Sequence, residues 1–180
     1  MLFRSILILE SPERVSKRKP HVYANIVGFG TTTDAVDRIE PAKDGKQLAL
    51  AIKMALDDAG LEPSQIDYIC ADGSGTVIGD ITETKAIKQV FNSNAKKIPV
   101  SAPKSMFGNL LGASGAVDVI TTVLAMENHT VPPTINYLKP DPECDLDYCP
   151  NRSQAKELKN ALVINRGRGG INAVLVLQKI

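Results

Sequence analysis

Residues 66–91, IDYICADGSGTVIGDITETKAIKQVF, decide the fold class of this chain. The apolar run Ile66–Ala71 predicts a short buried strand, and Asp72–Thr76 follows it as a glycine-rich polar loop. Asp80–Phe91 then predicts a helix, because small and apolar residues recur there at four-residue steps. A strand, a glycine-rich loop and a helix in this order are typical of layered α/β folds.

The segments on either side continue the alternation of strands and helices. Asp44–Gly60 predicts a helix that ends at a glycine, and Gly112–Met126 predicts a long helix of small apolar residues that is buried on most sides. The order predicts a layered α/β fold with a mostly parallel sheet and a buried helix. Further strands are predicted at Ile6–Leu9, His21–Gly30, Ile98–Ala102, Ala161–Ile164 and Ile171–Leu177. Loops are predicted at Ser11–Pro20 (or a short surface helix), Thr31–Pro41 and Pro132–Pro150.

Composition and charge disfavour several function classes. A length of 180 residues corresponds to about one domain, residues 1–180. The 21 Lys and Arg against 20 Asp and Glu give a net charge of +1, which does not favour binding to nucleic acid or to a membrane surface. Three cysteines do not make a disulfide framework, and we expect a reducing, cytoplasmic environment. Aromatic residues are only 4%, so the core has to be built from aliphatic and small side chains.

Three polar, glycine-rich loops follow predicted strands and are candidate sites. They are Ala71–Asp80, Lys104–Gly115 and Asn165–Gly170. Ligands in layered α/β folds bind outside the carboxyl ends of the strands, so we expect the three loops to meet there. One such loop alone is more often a tight turn, whereas three together favour a site.

The motifs in these loops resemble those of the β-ketoacyl-acyl carrier protein synthases. Residues 72–76, DGSGT, with Asp80 and residues 83–87, ETKAI, resemble the first histidine motif of the family, and residues 104–113, KSMFGNLLGA, resemble the second. The later matches are PPTIN at 132–136, DPECDLD at 141–147, and the glycine-rich gate GRGG at 167–170 with Asn172.

The resemblance implies a thiolase-like fold and covers the C-terminal half of such a synthase. Members of the family are about twice this length, and the half that carries their cysteine nucleophile would precede Met1. Residues 1–10 resemble the last strand of that missing half.

At the two histidine positions of the family this chain has Asp72 and Asn109. The resemblance therefore implies that no catalytic residue is intact. In the family these histidines donate hydrogen bonds that stabilise the enolate formed on decarboxylation of the extender unit. An ionised carboxylate can only accept hydrogen bonds, whereas the amide of Asn109 can still donate. Losing one such donor costs roughly 10²–10³ in rate, so we do not expect condensation by the family mechanism.

Other positions of the motifs are retained or changed in charge. The resemblance assigns Asp80, Glu83 and Lys104 to the shell that supports the two histidines, although these residues can also serve only to hold loops together. The gate turn consists of Arg166, Gly167, Arg168, Gly169 and Gly170. Its two arginines stand where the family typically has phenylalanines. Two cations in an acyl channel are unfavourable unless paired, and Asp72 is the predicted partner of one of them. We expect no metal site and no cofactor, and we expect inert thiols at the three cysteines.

Within the family, these departures resemble the chain length factor, the non-condensing partner of the ketosynthase in type II polyketide synthases. The resemblance implies a catalytically silent subunit in polyketide or fatty acyl chain elongation. Its partners would be a ketosynthase subunit, a complementary N-terminal half and, through the complex, an acyl carrier protein. Two alternatives stay open: half of a split, active acyltransferase or ketosynthase whose nucleophile is on another chain, and a decayed synthase with a scaffold role. A lone half of a two-half fold leaves one sheet edge and the helix Gly112–Met126 partly uncovered, so the chain alone is predicted to be insoluble or oligomeric.

Overall fold

The computed structural model describes residues 5–180, which form five α-helices and seven β-strands. No helix in these residues is both long and apolar enough to cross a membrane. The helices are α1 (Pro12–Arg18), α2 (Lys46–Ala59), α3 (Val77–Phe91), α4 (Lys104–Phe107) and α5 (Ser114–Glu127). The strands are β1 (Asn25–Thr33), β2 (Tyr68–Cys70), β3 (Val100–Ser101), β4 (Thr130–Val131), β5 (Gln154–Ala155), β6 (Asn160–Gly167) and β7 (Ile171–Gln178). Short 3₁₀ turns lie at Pro63–Gln65, Asn92–Lys97 and Leu111–Ala113.

Five of the strands form the central sheet, in the order β1-β7-β6-β2-β3. Strand β2 is parallel to both β3 and β6, whereas β7 is antiparallel to both β6 and β1. Strands β1, β6, β2 and β3 therefore run in one direction and β7 runs against them. This confirms the predicted layered α/β fold with a mostly parallel sheet. The carboxyl ends of β2, β3 and β6 lie at the same edge of the sheet, and the loops that follow them start there.

The apolar core lies on both faces of the central sheet. On one face, Leu162 and Ile164 of β6 pack in a cluster with α2 and α3. On the other face, Ala161 and Val163 of the same strand pack in a second cluster with α5. Side chains of a strand alternate between the two faces, so one strand contributes to both clusters. Both clusters are mainly aliphatic, as the low aromatic content predicts.

Two glycines bring β1 directly against the backbone of α2. A Cβ atom at Gly28 would lie 2.1 Å from the carbonyl oxygen of Ala55, and one at Gly30 would lie 2.1 Å from that of Ala51. No side chain fits at such distances, so this strand and this helix can pack only through glycine. Helix α2 otherwise forms as predicted and ends at Gly60, which has the left-handed φ of 63°.

The predicted buried strand at Ile6–Leu9 is wrong. These residues pair with no strand in the described part of the chain, and their side chains are exposed, Ile8 by 87%. An apolar run indicates that its side chains need to be buried, and no element within residues 5–180 packs over them. Residues 1–4, which belong to the predicted segment 1–10, lie outside the described residues.

Strand β1 also differs from its prediction. It covers Asn25–Thr33 instead of His21–Gly30 and extends into the stretch predicted as a polar loop. Thr31 in that stretch pairs with Ala173 of β7. Threonine has a high strand propensity, and the long partner strand supplies the hydrogen bonds that make this extension favourable.

Helix α5 covers only part of its face of the sheet. Its residues Asp118 and Met126 are buried, as predicted for this helix, whereas Ile120 and Leu124 are exposed by 36% and 47%. Phe29 of β1 points to the same face of the sheet, because its neighbours in the strand face α2, and it is 51% exposed. The described residues therefore leave large apolar side chains uncovered on this face.

We expect Gly30→Ala to lower the free energy of unfolding by about 1–3 kcal/mol, because the added methyl group displaces the backbone of α2. Urea denaturation measures the change. Gly167→Ala is the matched control, since its Cβ would lie 3.6 Å from that of Ile171, an ordinary contact. Equal stabilities of the two variants would contradict the close packing of β1 on α2.

Candidate functional site

The three glycine-rich loops meet where the parallel strands end. Lys104, which follows β3, places its Nζ atom 3.1 Å from Oδ1 of Asp72, which follows β2. The backbone N–H of Arg166, near the end of β6, donates to the same carboxylate oxygen at 3.2 Å. The carboxylate of Asp72 is thus the point at which all three loops are joined.

Lys104 lies between two buried carboxylates, and we refer to Asp72, Lys104 and Asp118 as the Lys104 triad. The Nζ atom of Lys104 is 2.8 Å from Oδ2 of Asp118 on α5, and the three side chains are each less than 10% exposed. Burial acts to lower the pKa of Lys104, but the charges of Asp72 and Asp118 outweigh it and the pKa is raised. Burial raises the pKa of Asp118, although the ammonium beside it acts in the opposite direction. The triad therefore holds a lysine that stays charged with its donors directed at protein carboxylates.

Two acidic residues of α3 hold the loop that carries Asp72. The carboxylate of Glu83 accepts the backbone N–H groups of Asp72 and Gly73 at 2.7 and 2.9 Å, and Asp80 accepts that of Gly75 at 3.2 Å. Burial raises the pKa of Glu83 to about 7, and the negative charge of Asp72 adds to the rise. Burial likewise raises the pKa of Asp80. These contacts fix the path of the loop backbone and surround Asp72 with further acceptors.

The side chain of Arg166 is largely buried, but its guanidinium group does not pair with Asp72. It is held by groups on α3, on β7 and in the loop after β1. These are the carbonyl oxygen of Gly79 (3.2 Å), Oγ1 of Thr82 (2.9 Å), Oδ1 of Asn172 (3.2 Å) and Oδ2 of Asp34 (3.7 Å). The predicted pairing of Asp72 with an arginine side chain is therefore wrong. Lys104 neutralises Asp72, Arg166 pairs with Asp34, and Arg168 is exposed at the tip of the gate turn.

A cavity of about 470 Å³ opens beside the Lys104 triad. Its walls come from the loop at 73–80, from Lys104 and Asn109, and from the segment at 134–148. Its volume lies within the range of small-molecule pockets. Of the predicted site residues, Asp80, Glu83, Lys104 and Asn109 line this cavity, whereas neither Asp72 nor the gate turn does.

Asn109 is fixed by its carbonyl end. Its Oδ1 atom accepts the backbone N–H of Leu111 at 2.9 Å and the hydroxyl of Ser114 at 3.2 Å. Because a backbone N–H has to donate to an oxygen, this contact determines which end of the amide is the carbonyl. Among residues 5–180 the Nδ2 group makes no hydrogen bond. Its N–H groups are thus available to a ligand in the cavity.

The three cysteines lie in environments that favour the protonated thiol over the thiolate. Burial raises the pKa of Cys70 and of Cys149 to about 12, and it also raises the pKa of Cys144. A nucleophilic cysteine requires a lowered pKa, so these environments do not activate the sulfur atoms. In the part of the chain that the structure describes, no three His, Cys, Asp or Glu side chains are placed to hold a metal ion.

Sequence reasoning missed Asp34 and Asp118, the carboxylates that pair with Arg166 and Lys104. A signal for Asp118 was present, because it is a lone charge in the apolar stretch Gly112–Met126, and a buried charge requires a partner. No pattern marks Asp34, which lies in a loop and becomes buried through contacts with residues far away in sequence.

The model of the "Beta-ketoacyl synthase, C-terminal domain" family matches residues 23–138. The chain belongs to this family. The 3-oxoacyl-[acyl-carrier-protein] synthase 2 of Staphylococcus aureus is 45% identical to it over 174 residues, which is 97% of this chain. The protein of the same name from Synechocystis is also 45% identical over 174 residues. The chain spans 42% of the length of each of these relatives.

Solved structures share the fold of this C-terminal domain. A chain of a type II polyketide synthase acyl carrier protein in complex with its ketosynthase, bound to the hexaketide, has a TM-score of 0.92 and 40% identity, over 95% of this chain and 42% of that one. The ishigamide ketosynthase/chain length factor has a TM-score of 0.90 and 37% identity, over 95% and 41%. A ketosynthase in complex with its chain length factor from Xenorhabdus doucetiae has a TM-score of 0.76 and 29% identity, over 89% and 40%. The thiolase-like ketosynthase fold implied by the motifs is thereby confirmed.

We expect Lys104→Met to lower the free energy of unfolding by about 3–5 kcal/mol, because it leaves Asp72 and Asp118 buried without their cation. Urea denaturation at neutral pH measures the loss, and acidification should reduce it as Asp118, whose pKa is raised by burial, becomes protonated. Lys53→Met, on the exposed side of α2, is the matched control and should change stability by less than about 0.5 kcal/mol. A loss in Lys104→Met no larger than in the control would contradict a stabilising triad.

Proposed function

We propose that this chain is the C-terminal half of a non-condensing, ketosynthase-like subunit similar to a chain length factor. It pairs with an active ketosynthase and helps to shape the channel in which an acyl chain grows. The observation that carries the proposal is the state of Asp72, which stands where the family has its first histidine. Its carboxylate is held by the Lys104 ammonium and by the backbone N–H of Arg166. It can accept hydrogen bonds but cannot donate one to a developing enolate.

The groups around Asp72 do not restore the missing donor. The ammonium of Lys104 is directed at Asp72 and Asp118, and Glu83 already accepts two backbone N–H groups. Negative charge that developed next to Asp72 would meet further carboxylates instead of free donors. Electrostatic stabilisation of an anion requires donors aimed at the place where charge appears, and this arrangement has the opposite sign.

The comparisons support membership of the family but do not distinguish a condensing synthase from a chain length factor. Two of the similar solved structures are named as pairs of a ketosynthase with a chain length factor. The curated relatives are named as synthases, and the chain is 45% identical to them. The proposal of a silent subunit therefore rests on Asp72 and Asn109, at which this chain departs from the two histidine motifs of a condensing synthase.

The uncovered face of the sheet supports a complementary partner. Phe29 of β1 is exposed on this face, Ile120 and Leu124 are exposed on the side of α5 that is turned away from the sheet, and the chain spans 42% of its relatives' length. We infer that an N-terminal half covers this face and completes the subunit, which then pairs with the ketosynthase. The acyl carrier protein reaches this subunit through the complex, since the growing chain is attached at the ketosynthase.

A second candidate is half of a split, active enzyme, and Asn109 favours it. The N–H groups of its Nδ2 atom make no hydrogen bond within residues 5–180, and the residue lines the cavity. A free amide of this kind can hold the carbonyl of an acyl substrate. In that case the nucleophile is supplied by another chain, and Asn109 takes part in decarboxylation or acyl transfer.

Turnover of the reconstituted complex separates the two candidates. The chain is combined with its N-terminal complement, the ketosynthase subunit and a malonyl-loaded acyl carrier protein, and carbon dioxide release and product length are measured. For a silent subunit, we expect Asn109→Ala to leave the rate of carbon dioxide release unchanged, and loss of the ketosynthase's nucleophilic cysteine to abolish condensation. A working donor at Asn109 would instead cost roughly 10²–10³ in rate.

Two results would contradict the silent role. One is turnover that is abolished by Asn109→Ala and persists without the ketosynthase cysteine, which would establish the split enzyme. The other is a product length that stays the same when side chains bordering the channel are enlarged, which would leave only a scaffold role.

Self-association of the chain alone tests the uncovered face. We expect the chain by itself to be oligomeric or insoluble, because large exposed apolar side chains favour association. The double substitution Ile120→Lys, Leu124→Lys should shift it towards the monomer in light scattering, whereas Lys53→Ala, on the opposite layer, should not. A monodisperse, unsubstituted monomer would count against a missing partner.

A further inference from the structure

The two arginines of the gate turn lie in different environments. The side chain of Arg166, at the start of the turn, is 10% exposed. Arg168, two residues further along, is exposed, and none of the ion pairs within residues 5–180 involves it. Gly169 and Gly170 follow Arg168 and lead into β7. Their positive φ angles of 85° and 78° are accessible mainly to glycine. The turn closes the β6–β7 hairpin, whose pairing extends to Gly167 and Ile171, and the backbone N–H of Gly169 donates to the carbonyl oxygen of Arg38 at 3.0 Å. The side-chain contacts at its two ends add to this backbone pairing.

Arg166 ties the start of the gate turn to α3 and β7. Its Nη1 atom donates to the carbonyl oxygen of Gly79 and to Oγ1 of Thr82, while its Nε atom donates to Oδ1 of Asn172. Thr82 and Asn172 are almost completely buried. The planar, forked guanidinium group can reach acceptors on two sides at once, which a lysine ammonium at this position cannot do.

Asp34 ties the other end of the same turn. Its backbone N–H donates to the carbonyl oxygen of Gly170 at 2.8 Å, and its Oδ1 atom accepts from Nδ2 of Asn172 at 2.8 Å. Its Oδ2 atom lies 3.7 Å from Nη2 of Arg166. Arg166, Asn172 and Asp34 therefore form a closed ring of contacts in which each side chain touches the other two. The ring spans both ends of the gate turn.

We propose that Arg166 fixes the gate turn in one position, so that this chain presents a rigid wall and not a moving gate. Arg166 acts as a positioning residue, because its contacts are with the protein framework. The inference rests on the proposed function in one respect: only in a ketosynthase-like complex does this turn border an acyl channel. The immobility of the turn is a property of this chain and is measured without turnover. The proposal for Arg166 can therefore fail while the silent role holds, and the silent role can fail while Arg166 still fixes the turn.

Hydrogen exchange of the backbone amides tests the proposal on the full chain in its reconstituted complex. In Arg166→Met, we expect the amides of residues 167–171 to exchange at least about tenfold faster, since one lost hydrogen bond to a charged group is worth about this factor. Arg168→Met is the matched control on the same turn and should exchange as the unsubstituted chain does. The amides of Leu162 and Ile164 in the middle of β6 serve as an internal reference and should not change.

Arg166→Lys keeps the positive charge beside Asp34 and so guards against a variant that fails to fold. We expect its gate turn to exchange as fast as in Arg166→Met, because one ammonium group cannot replace the contacts of the guanidinium fork. Exchange as slow as in the unsubstituted chain, in either variant, would overturn the proposal. Equal acceleration at Leu162 and Ile164 would also overturn it, since that result assigns Arg166 to global stability and not to the turn.

Discussion

The position of Lys104 between Asp72 and Asp118 is the constraint on which the rest of the site depends. Asp72 follows β2, Lys104 begins α4 after β3, and Asp118 lies on α5, so one ammonium group joins three separate parts of the fold. Burying these charges is tolerable only because they neutralise one another. The carboxylates nevertheless outnumber the nearby cations. Burial raises the pKa of Glu83, and the charge of Asp72 adds to the rise.

The sequence predicts a helix or strand correctly when its apolar side chains pack against other elements of the same chain. The helices α2 and α3 and the strands β6 and β7 were predicted, because each packs against elements of the same chain. Ile6–Leu9 has an equally clear apolar pattern but is exposed, because residues 5–180 contain nothing to cover it. The extension of β1 through Thr31 could not be read from its polar residues, since it depends on pairing with the distant β7.

The site was predictable at the level of loops but not of individual contacts. The order of strands and helices is sufficient to place three loops at one edge of the sheet, and family motifs are sufficient to single out Asp72 and Lys104. Which cation neutralises which carboxylate depends on distances, and the sequence offers several combinations. The pairing of Asp72 with an arginine was reasonable on charge alone. It fails because Arg166 turns towards Asp34, which no sequence pattern marks as buried.

Asp72 and Arg166 are also connected to each other, through the backbone. The same Oδ1 atom of Asp72 accepts the Lys104 ammonium and the backbone N–H of Arg166. Asp72 therefore also holds the backbone at the start of the gate turn, from which the side chain of Arg166 reaches Asp34 and Asn172. A histidine at position 72 would bring a donor but would give up the anionic acceptor for both groups. The contact with Asp72 is made by the backbone N–H of residue 166 and not by its guanidinium group. Asp72 thus connects the Lys104 triad to the start of the gate turn, and the side chain of Arg166 connects the same point to Asp34 and Asn172.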